Sequence, residues 1–420
     1  MRSSPAPEIR TITEDEFPSW VRALRTGFLQ SSPITEEEIR SRRGRVDLER
    51  IRGAFDGDRC VATFRTLPQR LTVPGGAAVD SCAVTNVTVS PTHRRRGLLT
   101  AMMRKELTAA RERGEVCSTL DSAEYPIYGR YGYGPAAWNT EWTVNADRAG
   151  LDPRRSGPEE EGARIDLVDG PEFRVLGAAL HERVRALPDR QGMIDRPERW
   201  WKLNTGETVH PGSDWKQPFY AVHRDAGGQV RGLAVYTADD HWVGNAPYVN
   251  LHVRDLIAAT GTAERDLWRF LLSVDWVSTV HSGRRAPDDL LPLLLPDPRA
   301  ARITIHTDFL WLRPLDVPAL FQARTYPVAG SLVLELRDPM GLSGGRFLLD
   351  AAPGGATCAP TRRGADLVMD IGTLGSLYLG DESASRLRAL GRLDEERPGA
   401  AALADVLLRT ARRPWCPDEF

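Results

Sequence analysis

The most constraining feature of this chain is a segment in which a predicted strand runs into a basic loop and then into a helix. Its sequence is Asn86-Val87-Thr88-Val89-Ser90-Pro91-Thr92-His93-Arg94-Arg95-Arg96-Gly97-Leu98-Leu99. Over 79–89 the side chains alternate as in a strand, and Pro91 ends it because proline cannot donate to a ladder. After Gly97, apolar residues recur at spacings of three and four, which predicts an amphipathic helix over 97–113. A strand predicted over 116–120 completes a parallel strand pair with a right-handed crossover.

The start of this helix suits an anion such as pyrophosphate. The first backbone N–H groups of a helix have no intrahelical partner, and the helix dipole is positive there. Three arginines precede Gly97, and glycine lets the backbone approach a phosphate closely. The alternative is a solvated basic turn before an ordinary helix. The strand before the loop and the amphipathic helix after it favour the phosphate site.

Length and composition limit the class of protein. A chain of 420 residues is expected to form two or three domains. A net charge of −2 argues against a general nucleic-acid binder. The five cysteines show no Cys-x-x-Cys spacing, so neither a disulfide framework nor a metal site is expected. We find no signal-peptide core and no apolar run of about 18 residues, and we expect a cytoplasmic protein without a membrane span.

The pattern of elements predicts three units, over 1–150, 151–300 and 301–420. Charged, Pro- and Gly-rich residues predict an exposed linker over 152–164. The second unit repeats the element order of the first, but Val253 is followed by Arg254-Asp255-Leu256-Ile257. Because this stretch has an acid and no glycine, we expect no cofactor loop there.

Two long motifs carry a resemblance to a known family. The segment from Thr92 to Leu99 resembles motif A of the GNAT acyltransferases, Arg/Gln-x-x-Gly-x-Gly/Ala, although Leu99 stands where Gly or Ala is usual. Together with Ile127-Tyr128-Gly129-Arg130-Tyr131-Gly132-Tyr133-Gly134-Pro135, it resembles the enhanced intracellular survival (Eis) family of N-acetyltransferases. The resemblance extends to 374–380 and to the final Glu419-Phe420, and so covers nearly the whole chain.

The resemblance implies a fold of mixed α/β and α+β class. Two tandem GNAT-like domains, each a mixed sheet with flanking helices, would be followed by a sterol-carrier-protein-like α+β domain. The first would be catalytic and the second would lack a cofactor loop. The resemblance also implies acetyl-CoA as co-substrate, a small amine as second substrate, and a homohexamer built as a trimer of dimers.

The cofactor site is expected in the first unit. Backbone groups near Val87 and Val89 can pair with pantetheine amides as a missing strand would, while the valine side chains stay in the core. The resemblance places two residues, Ala123 and Glu124, beside the cofactor. The complete set of predicted cofactor-binding residues is Val87, Thr88, Val89, Arg95, Arg96, Gly97, Leu98, Leu99, Thr100, Ala123 and Glu124.

Two residues are implied as catalytic. A phenol can return a proton to a thiolate at neutral pH, and although tyrosines near Gly and Pro often serve packing, the resemblance makes Tyr128 the general acid. The resemblance also makes the α-carboxylate of Phe420 the general base, since an α-carboxyl with a pKa of about 3.5 is ionised at pH 7. In this chain Tyr125-Pro126 stands where the family often has small residues.

The expected function is acetyl-CoA-dependent transfer of acetyl to a primary amine by direct attack. The acceptor is expected to be polyamine-like or aminoglycoside-like, in an acidic, aromatic pocket near Phe28, Glu36 and Glu419. One alternative is a non-enzymatic carrier of lipid or another small molecule, with a vestigial first half. A second alternative is a protein-lysine acetyltransferase.

Overall fold

The structure is a computed structural model of the chain, and it describes residues 6–150, 161–209, 211 and 214–420. Most of the linker predicted over 152–164 lies outside the described residues. Among the helices that are described, none has the length and apolar character needed to cross a membrane.

The first unit contains a strand-rich core with helices on both faces. Its elements are β1 (Glu8–Thr11), α1 (Phe17–Gly27), α2 (Glu36–Arg43), β2 (Ile51–Asp56), β3 (Arg59–Thr72), β4 (Ala78–Val89), α3 (Leu98–Glu112), β5 (Cys117–Asp121), α4 (Tyr125–Tyr128) and β6 (Gly134–Asn145). The apolar stripe of α3, which includes Met102, Met103 and Leu107, is fully buried against one face of the sheet. Helix α1 packs on β3 through Trp20, Val21 and Leu24, which belong to a separate apolar cluster.

The second unit repeats this order. Its elements are β7 (Arg164–Val168), α5 (Gly170–Arg185), α6 (Glu198–Asn204), β8 (Phe219–Arg224), β9 (Val230–Ala238), β10 (Trp242–Val243), β11 (Ala246–Pro247), β12 (Val249–Ala258), α7 (Gly261–Leu272), β13 (Val277–His281), α8 (Leu291–Leu294) and β14 (Ala301–Pro314).

The two units share one sheet. Within the described residues its strand order is β1-β2-β3-β4-β5-β14-β6-β13-β12-β9-β8-β7. The pairs β4–β5 and β12–β13 are parallel, and the other pairs are antiparallel. Strand β14 lies beside β5, and β6 lies beside β13, so each unit donates a strand to its neighbour. This exchange joins the two units through backbone hydrogen bonds.

The C-terminal unit has its own sheet and α+β character. Its elements are α9 (Val317–Ala323), β15 (Gly330–Arg337), β16 (Gly345–Ala352), β17 (Gly355–Pro360), β18 (Leu367–Asp370), α10 (Ile371–Tyr378), α11 (Ala384–Ala389), β19 (Leu393–Glu395) and α12 (Ala400–Leu408). The strand order is β17-β16-β15-β18-β19. Strand β14 belongs to the large sheet, so the predicted range 301–420 includes one strand of that sheet. The predicted fold class is confirmed, and the exact domain boundaries stay predictions.

Helix α10 packs directly on the shared ribbon of β6 and β14. A Cβ added to Gly375 would lie 2.2 Å from the carbonyl oxygen of Leu312, and one added to Gly134 would lie 2.0 Å from that of Gly372. Only glycine allows such backbone contact. The two motifs that carry the family resemblance outside the basic loop therefore meet at this interface.

A buried ion pair also joins the C-terminal unit to the large sheet. The guanidinium of Arg313 on β14 lies 2.8 Å from the carboxylate of Asp338, and both side chains are fully buried. Arg313 donates a second hydrogen bond to the carbonyl of Tyr131. Burial acts to raise the pKa of Asp338, but Arg313 and the backbone N–H groups of Ser343, Leu342 and Met340 hold it below its usual value.

Replacing Asp338 with asparagine is expected to lower the free energy of unfolding by about 3–5 kcal/mol, because Arg313 would keep a buried, unpaired charge. Urea unfolding measures this loss. Asp394→Asn, which removes an exposed carboxylate 3.8 Å from Arg337, is the matched control, with an expected change below about 1 kcal/mol. The pKa of Asp338 is lowered on folding, so its contribution is present above its unfolded pKa and is lost as pH falls through the folded value. Equal stability of the two variants would contradict this role.

Candidate active site

The first unit contains a cleft where β4 and β5 diverge. Their parallel pairing covers only Ser81–Cys117, Cys82–Ser118 and Ala83–Thr119. Strand β4 continues six residues beyond Ala83, so its edge facing β5 is open. A β-bulge lies between Thr85 and Thr88, and Asn86 within it has a φ of 54°. An open strand edge of this kind can pair with an extended, amide-bearing chain such as pantetheine.

The basic loop lies at the end of β4 and is firmly anchored. His93 is buried, with Nε2 3.1 Å from a carboxylate oxygen of Asp56 and Nδ1 2.8 Å from the hydroxyl of Thr92. Arg95 and Gly97 have φ values of 63° and 78°. The left-handed conformation at Gly97 turns the chain into α3 and exposes the N–H groups of the first helical turn.

These N–H groups are available to an anion. The first backbone hydrogen bond of α3 is donated by the N–H of Ala101 to the carbonyl of Gly97, at 3.0 Å. The N–H groups ahead of Ala101 have no helical partner. The side chains of Arg94, Arg95 and Arg96 are exposed around them. The loop therefore has the geometry and charge for a pyrophosphate.

The predicted cofactor-binding residues differ in their burial and in their hydrogen-bond partners. Thr88 is buried and its hydroxyl lies 2.7 Å from that of Thr63, so only its backbone can meet a ligand. Leu98 is buried in the core and Leu99 is half-buried. The hydroxyl of Thr100 lies 3.2 Å from that of Tyr131, which ties the start of α3 to the loop after α4.

The remaining predicted cofactor residues lie on both sides of the same opening. Val87 and Val89 are half-buried near the end of β4. Ala123 and Glu124 are exposed in the segment after β5. The carboxylate of Glu124 lies 3.9 Å from the guanidinium of Arg94, so the segment after β5 approaches the basic loop. These residues are brought together, and their cofactor contacts stay a prediction.

Tyr128 lies at the end of α4, close to the cleft. Its ring is half-buried and meets the ring of Tyr133 edge-on, with centroids 6.2 Å apart. Burial, with smaller effects from Asp121 and Glu124, raises the pKa of Tyr128 to about 12. The phenol is therefore protonated at neutral pH, which is the state that a general acid needs.

Asp121, the last residue of β5, was not singled out in the sequence. Burial raises the pKa of its carboxyl, and Glu419 raises it further. Among the neighbouring charges, Asp121 also has the largest effect in raising the pKa of Tyr128. The sequence signal that could have identified Asp121 is its position directly after the strand residues 117–120. The structure therefore adds a carboxyl group to the same region as Tyr128 and the C-terminal segment.

The C-terminal segment enters the first unit's cleft and is held there by buried charges. The guanidinium of Arg196 lies 3.0 Å from the carboxylate of Asp418 and 2.6 Å from that of Asp255. The side chains of Arg196 and Asp418 are buried, and that of Asp255 is 9% exposed. Glu419 pairs with Arg284, and the half-buried ring of Phe420 packs against an apolar cluster. This anchoring fixes the backbone of the residue that we expect to act as base.

The C-terminal residues line a cleft of about 560 Å³. Its walls come from α1, α2, β3, Asn86 and the segment around α6, together with Asp418, Glu419 and Phe420. Of the three residues of the predicted pocket, Glu419 lines this cleft, whereas Phe28 and Glu36 are not among its lining residues. Phe28 is 51% exposed, and Glu36 forms an exposed pair with Arg22. The aromatic residues that line the cleft are Phe17, Trp20, Trp200 and Phe420.

The equivalent gap in the second unit is filled by the protein itself. Parallel pairing of β12 with β13 ends at His252–His281, and β12 continues to Ala258. Here Arg285 donates to the carbonyl of Leu256 and lies 4.7 Å from the ring centroid of Trp415. The gap that would admit pantetheine is thus occupied, which agrees with the missing glycine loop in this unit.

Comparison with known proteins agrees with this architecture. Two acetyltransferase (GNAT) domain families match residues 8–136 and 192–314, and a sterol carrier protein domain family matches 317–417. An N-acetyltransferase of Streptomyces avermitilis is 55% identical over 415 residues, which cover 98% of each chain. The fold and the cleft thus define a GNAT acetyltransferase, for which acetyl-CoA is the co-substrate.

Two further relatives specify the family. N-acetyltransferase Eis of Mycobacterium tuberculosis is 37% identical over 369 residues, covering 86% of this chain and 87% of that one. The crystal structure of Eis1 from Mycobacterium abscessus has a TM-score of 0.84 and 30% identity, covering 98% of this chain and all of that chain. The chain belongs to the Eis family of N-acetyltransferases, as its motifs indicated.

Replacing Gly97 with aspartate is expected to lower acetyl-CoA affinity by at least about tenfold, because a carboxylate would face the phosphates. Calorimetry with acetyl-CoA measures the effect. Gly97→Asn is the matched control, since asparagine has nearly the same shape, is neutral and tolerates a positive φ. No heavy atom lies within 4 Å of a Cβ added at this position, so both side chains fit. Equal affinities of the two variants would rule out an anion at this loop.

Proposed function

We propose that the chain transfers acetyl from acetyl-CoA to a primary amine of a small molecule, by direct attack in the cleft of the first unit. The observation that carries the proposal is that three parts meet along β4. These are the open edge of β4, the basic loop, and the anchored C-terminal segment beside Asn86. The open edge and the loop suit pantetheine and pyrophosphate, which would leave the thioester near the C-terminal end of the cleft.

In this proposal the α-carboxylate of Phe420 takes a proton from the amine. The amine nitrogen forms a bond to the thioester carbonyl carbon, and the carbon–sulfur bond breaks. Tyr128 donates its phenolic proton to the departing sulfur. Both products are then neutral at the reacting atoms, and passage of a proton from the Phe420 carboxyl to the Tyr128 phenolate through solvent restores the enzyme. The raised pKa of Tyr128 keeps this donor protonated before every turnover.

The sequence left two alternatives open. A non-enzymatic carrier conflicts with membership in a family of N-acetyltransferases. The interior of the C-terminal unit is also packed with its own side chains, among them Phe321, Leu349 and Leu377, all with at most 1% exposure. A lysine side chain of a protein is a primary amine, so a lysine peptide belongs in the functional test.

Other finer expectations stay predictions. These are the polyamine-like or aminoglycoside-like acceptor, the homohexamer built as a trimer of dimers, and the cytoplasmic location. Within the described residues, no group of three or more His, Cys, Asp or Glu side chains is arranged to hold a metal ion. The proposed steps use only protein groups and the two substrates.

Release of CoA thiol across a panel of amines tests the proposal, with Tyr128→Phe as the diagnostic variant. The panel contains monoamines, diamines, an aminoglycoside and a lysine peptide. Loss of the phenolic proton is expected to lower kcat about 10²-fold, the usual effect of removing a general acid, with acetyl-CoA affinity nearly unchanged.

Tyr125→Phe is the matched control, because Tyr125 lies on the same short helix and its ring packs 4.9 Å from that of Trp311. It is expected to keep kcat within about twofold. If no amine accelerates CoA release, the proposed function is wrong. If Tyr128→Phe and Tyr125→Phe are equally active, transfer can stand but Tyr128 is not the acid.

A further inference from the structure

The acceptor cleft has an arginine-rich end that the proposed chemistry does not use. Besides the C-terminal residues, the cleft is lined by Arg42, Arg45, Arg65 and Arg199, which we call its arginine end. They come from the C-terminal end of α2 and the loop after it, from β3 and from α6. Arg65 lies opposite Thr85 in the register of β3 and β4, and Thr85 is next to Asn86. The arginine end therefore begins close to the diverging strands.

The acidic side chains of the cleft already have partners. Glu38 accepts from the N–H of Thr35 at 2.7 Å, closing the capping box of α2. Asp195 accepts from the N–H of Arg70 at 2.7 Å. The two C-terminal acids are equally engaged, Asp418 by Arg196 and Glu419 by Arg284.

Three of the arginines differ from these acids. Among the described residues, no carboxylate lies within 4 Å of the guanidinium groups of Arg42, Arg65 or Arg199. The hydrogen bond that Arg199 makes goes to the carbonyl of Arg45, at 3.4 Å. Burial, with repulsion from Arg199 and Arg42, lowers the pKa of Arg65 to about 10. These three guanidinium groups thus lie close together without a salt bridge, and Asp47 near Arg65 and Glu38 near Arg42 attract them only from beyond 4 Å.

The abundance of arginine in this chain does not explain the cluster. Of 55 basic residues only three are lysine, so an arginine by itself carries little information. Elsewhere in the described chain, many arginines at buried or half-buried positions face a carboxylate, as Arg196, Arg285 and Arg313 do. Keeping three guanidinium groups together without a carboxylate in contact costs electrostatic free energy. A bound oxyanion would offset this cost.

We infer that the arginine end of this cleft binds an oxyanion of the acceptor, so that the preferred substrate is a primary amine that also carries a carboxylate or phosphate. This inference rests on the proposed transfer to an amine and specifies its substrate class, in place of the polyamine-like or aminoglycoside-like acceptor expected from the sequence. Guanidinium groups bind such oxyanions through paired, charge-assisted hydrogen bonds. The amine would then point to the Phe420 end and the oxyanion to Arg65 and Arg199.

Three probes with one reacting amine and different far ends test the inference. They are 6-aminohexanoate, hexylamine and 1,6-diaminohexane, which end in an anion, a methyl group and a cation. The expected order of kcat/KM places 6-aminohexanoate first, at least about tenfold above the diamine. Shorter ω-amino acids and 6-aminohexyl phosphate, used in parallel, find the best spacing and distinguish carboxylate from phosphate.

Arg199→Gln and Arg42→Gln are the main variants, since both side chains are exposed and their loss is compatible with folding. Arg65→Gln is the central but half-buried variant. Each is expected to lower the ratio of kcat/KM for 6-aminohexanoate over hexylamine by about tenfold, mainly through KM. Arg22→Gln is the matched control, because Arg22 pairs with the exposed Glu36 on the surface and is not among the residues that line the cleft.

A wild-type enzyme that prefers 1,6-diaminohexane, or variants that leave the ratio unchanged, would overturn the inference while transfer to amines stands. If none of the probes is acetylated, calorimetry of 6-aminohexanoate with saturating CoA decides, because the phosphate loop is then occupied. Binding that is weakened by Arg199→Gln supports the subsite even if the proposed transfer fails. Absence of binding overturns it.

Discussion

The buried contact of Arg196 with Asp418 and Asp255 holds the proposed active site together. Arg196 belongs to the second unit, Asp255 to the strand that would have been its cofactor strand, and Asp418 to the C-terminal segment. The guanidinium also lies 3.9 Å from the ring centroid of Trp200. A buried charge of this kind must be fully paired, since losing one partner costs about 3–5 kcal/mol. Fixing Asp418 in turn fixes Glu419 and Phe420 in the cleft of the first unit.

The duplicated architecture explains why the second unit is retained without a cofactor loop. Its gap between β12 and β13 contains Arg285 and Trp415 instead of pantetheine, so the second unit binds the C-terminal segment there. The exchange of β6 and β14 fixes the position of this gap relative to the open edge of β4. The C-terminal unit is secured to the same ribbon by the contact of Gly375 with Leu312 and by the Arg313–Asp338 pair. One half of the duplicate is thus expected to position the base for the other half.

Local signals in the sequence were sufficient to predict the strand and the helix on either side of the basic loop in the first unit. The alternation before Pro91 and the spacing after Gly97 predicted a strand over 79–89 and a helix over 97–113, and the structure has Ala78–Val89 and Leu98–Glu112.

Strand β14 was missed, although Ile303, Ile305 and Thr307 alternate, because its partners are more than 150 residues away. The arginine end of the cleft could not be predicted, since Arg65 and Arg199 come from different units and only the fold brings them together. Asp121 becomes notable only once its burial beside Tyr128 is known.

The most direct measurement of the central claim is turnover of a protein with a short permanent extension after Phe420. It is compared with the chain ending at Phe420, as verified by intact mass, and with a chain that carries the same extension before Met1 as a control. If that carboxylate is the base, the extension lowers kcat about 10²-fold or more, whereas acetyl-CoA affinity is unchanged because the loop around Gly97 is untouched. Full turnover by the extended protein would contradict the account.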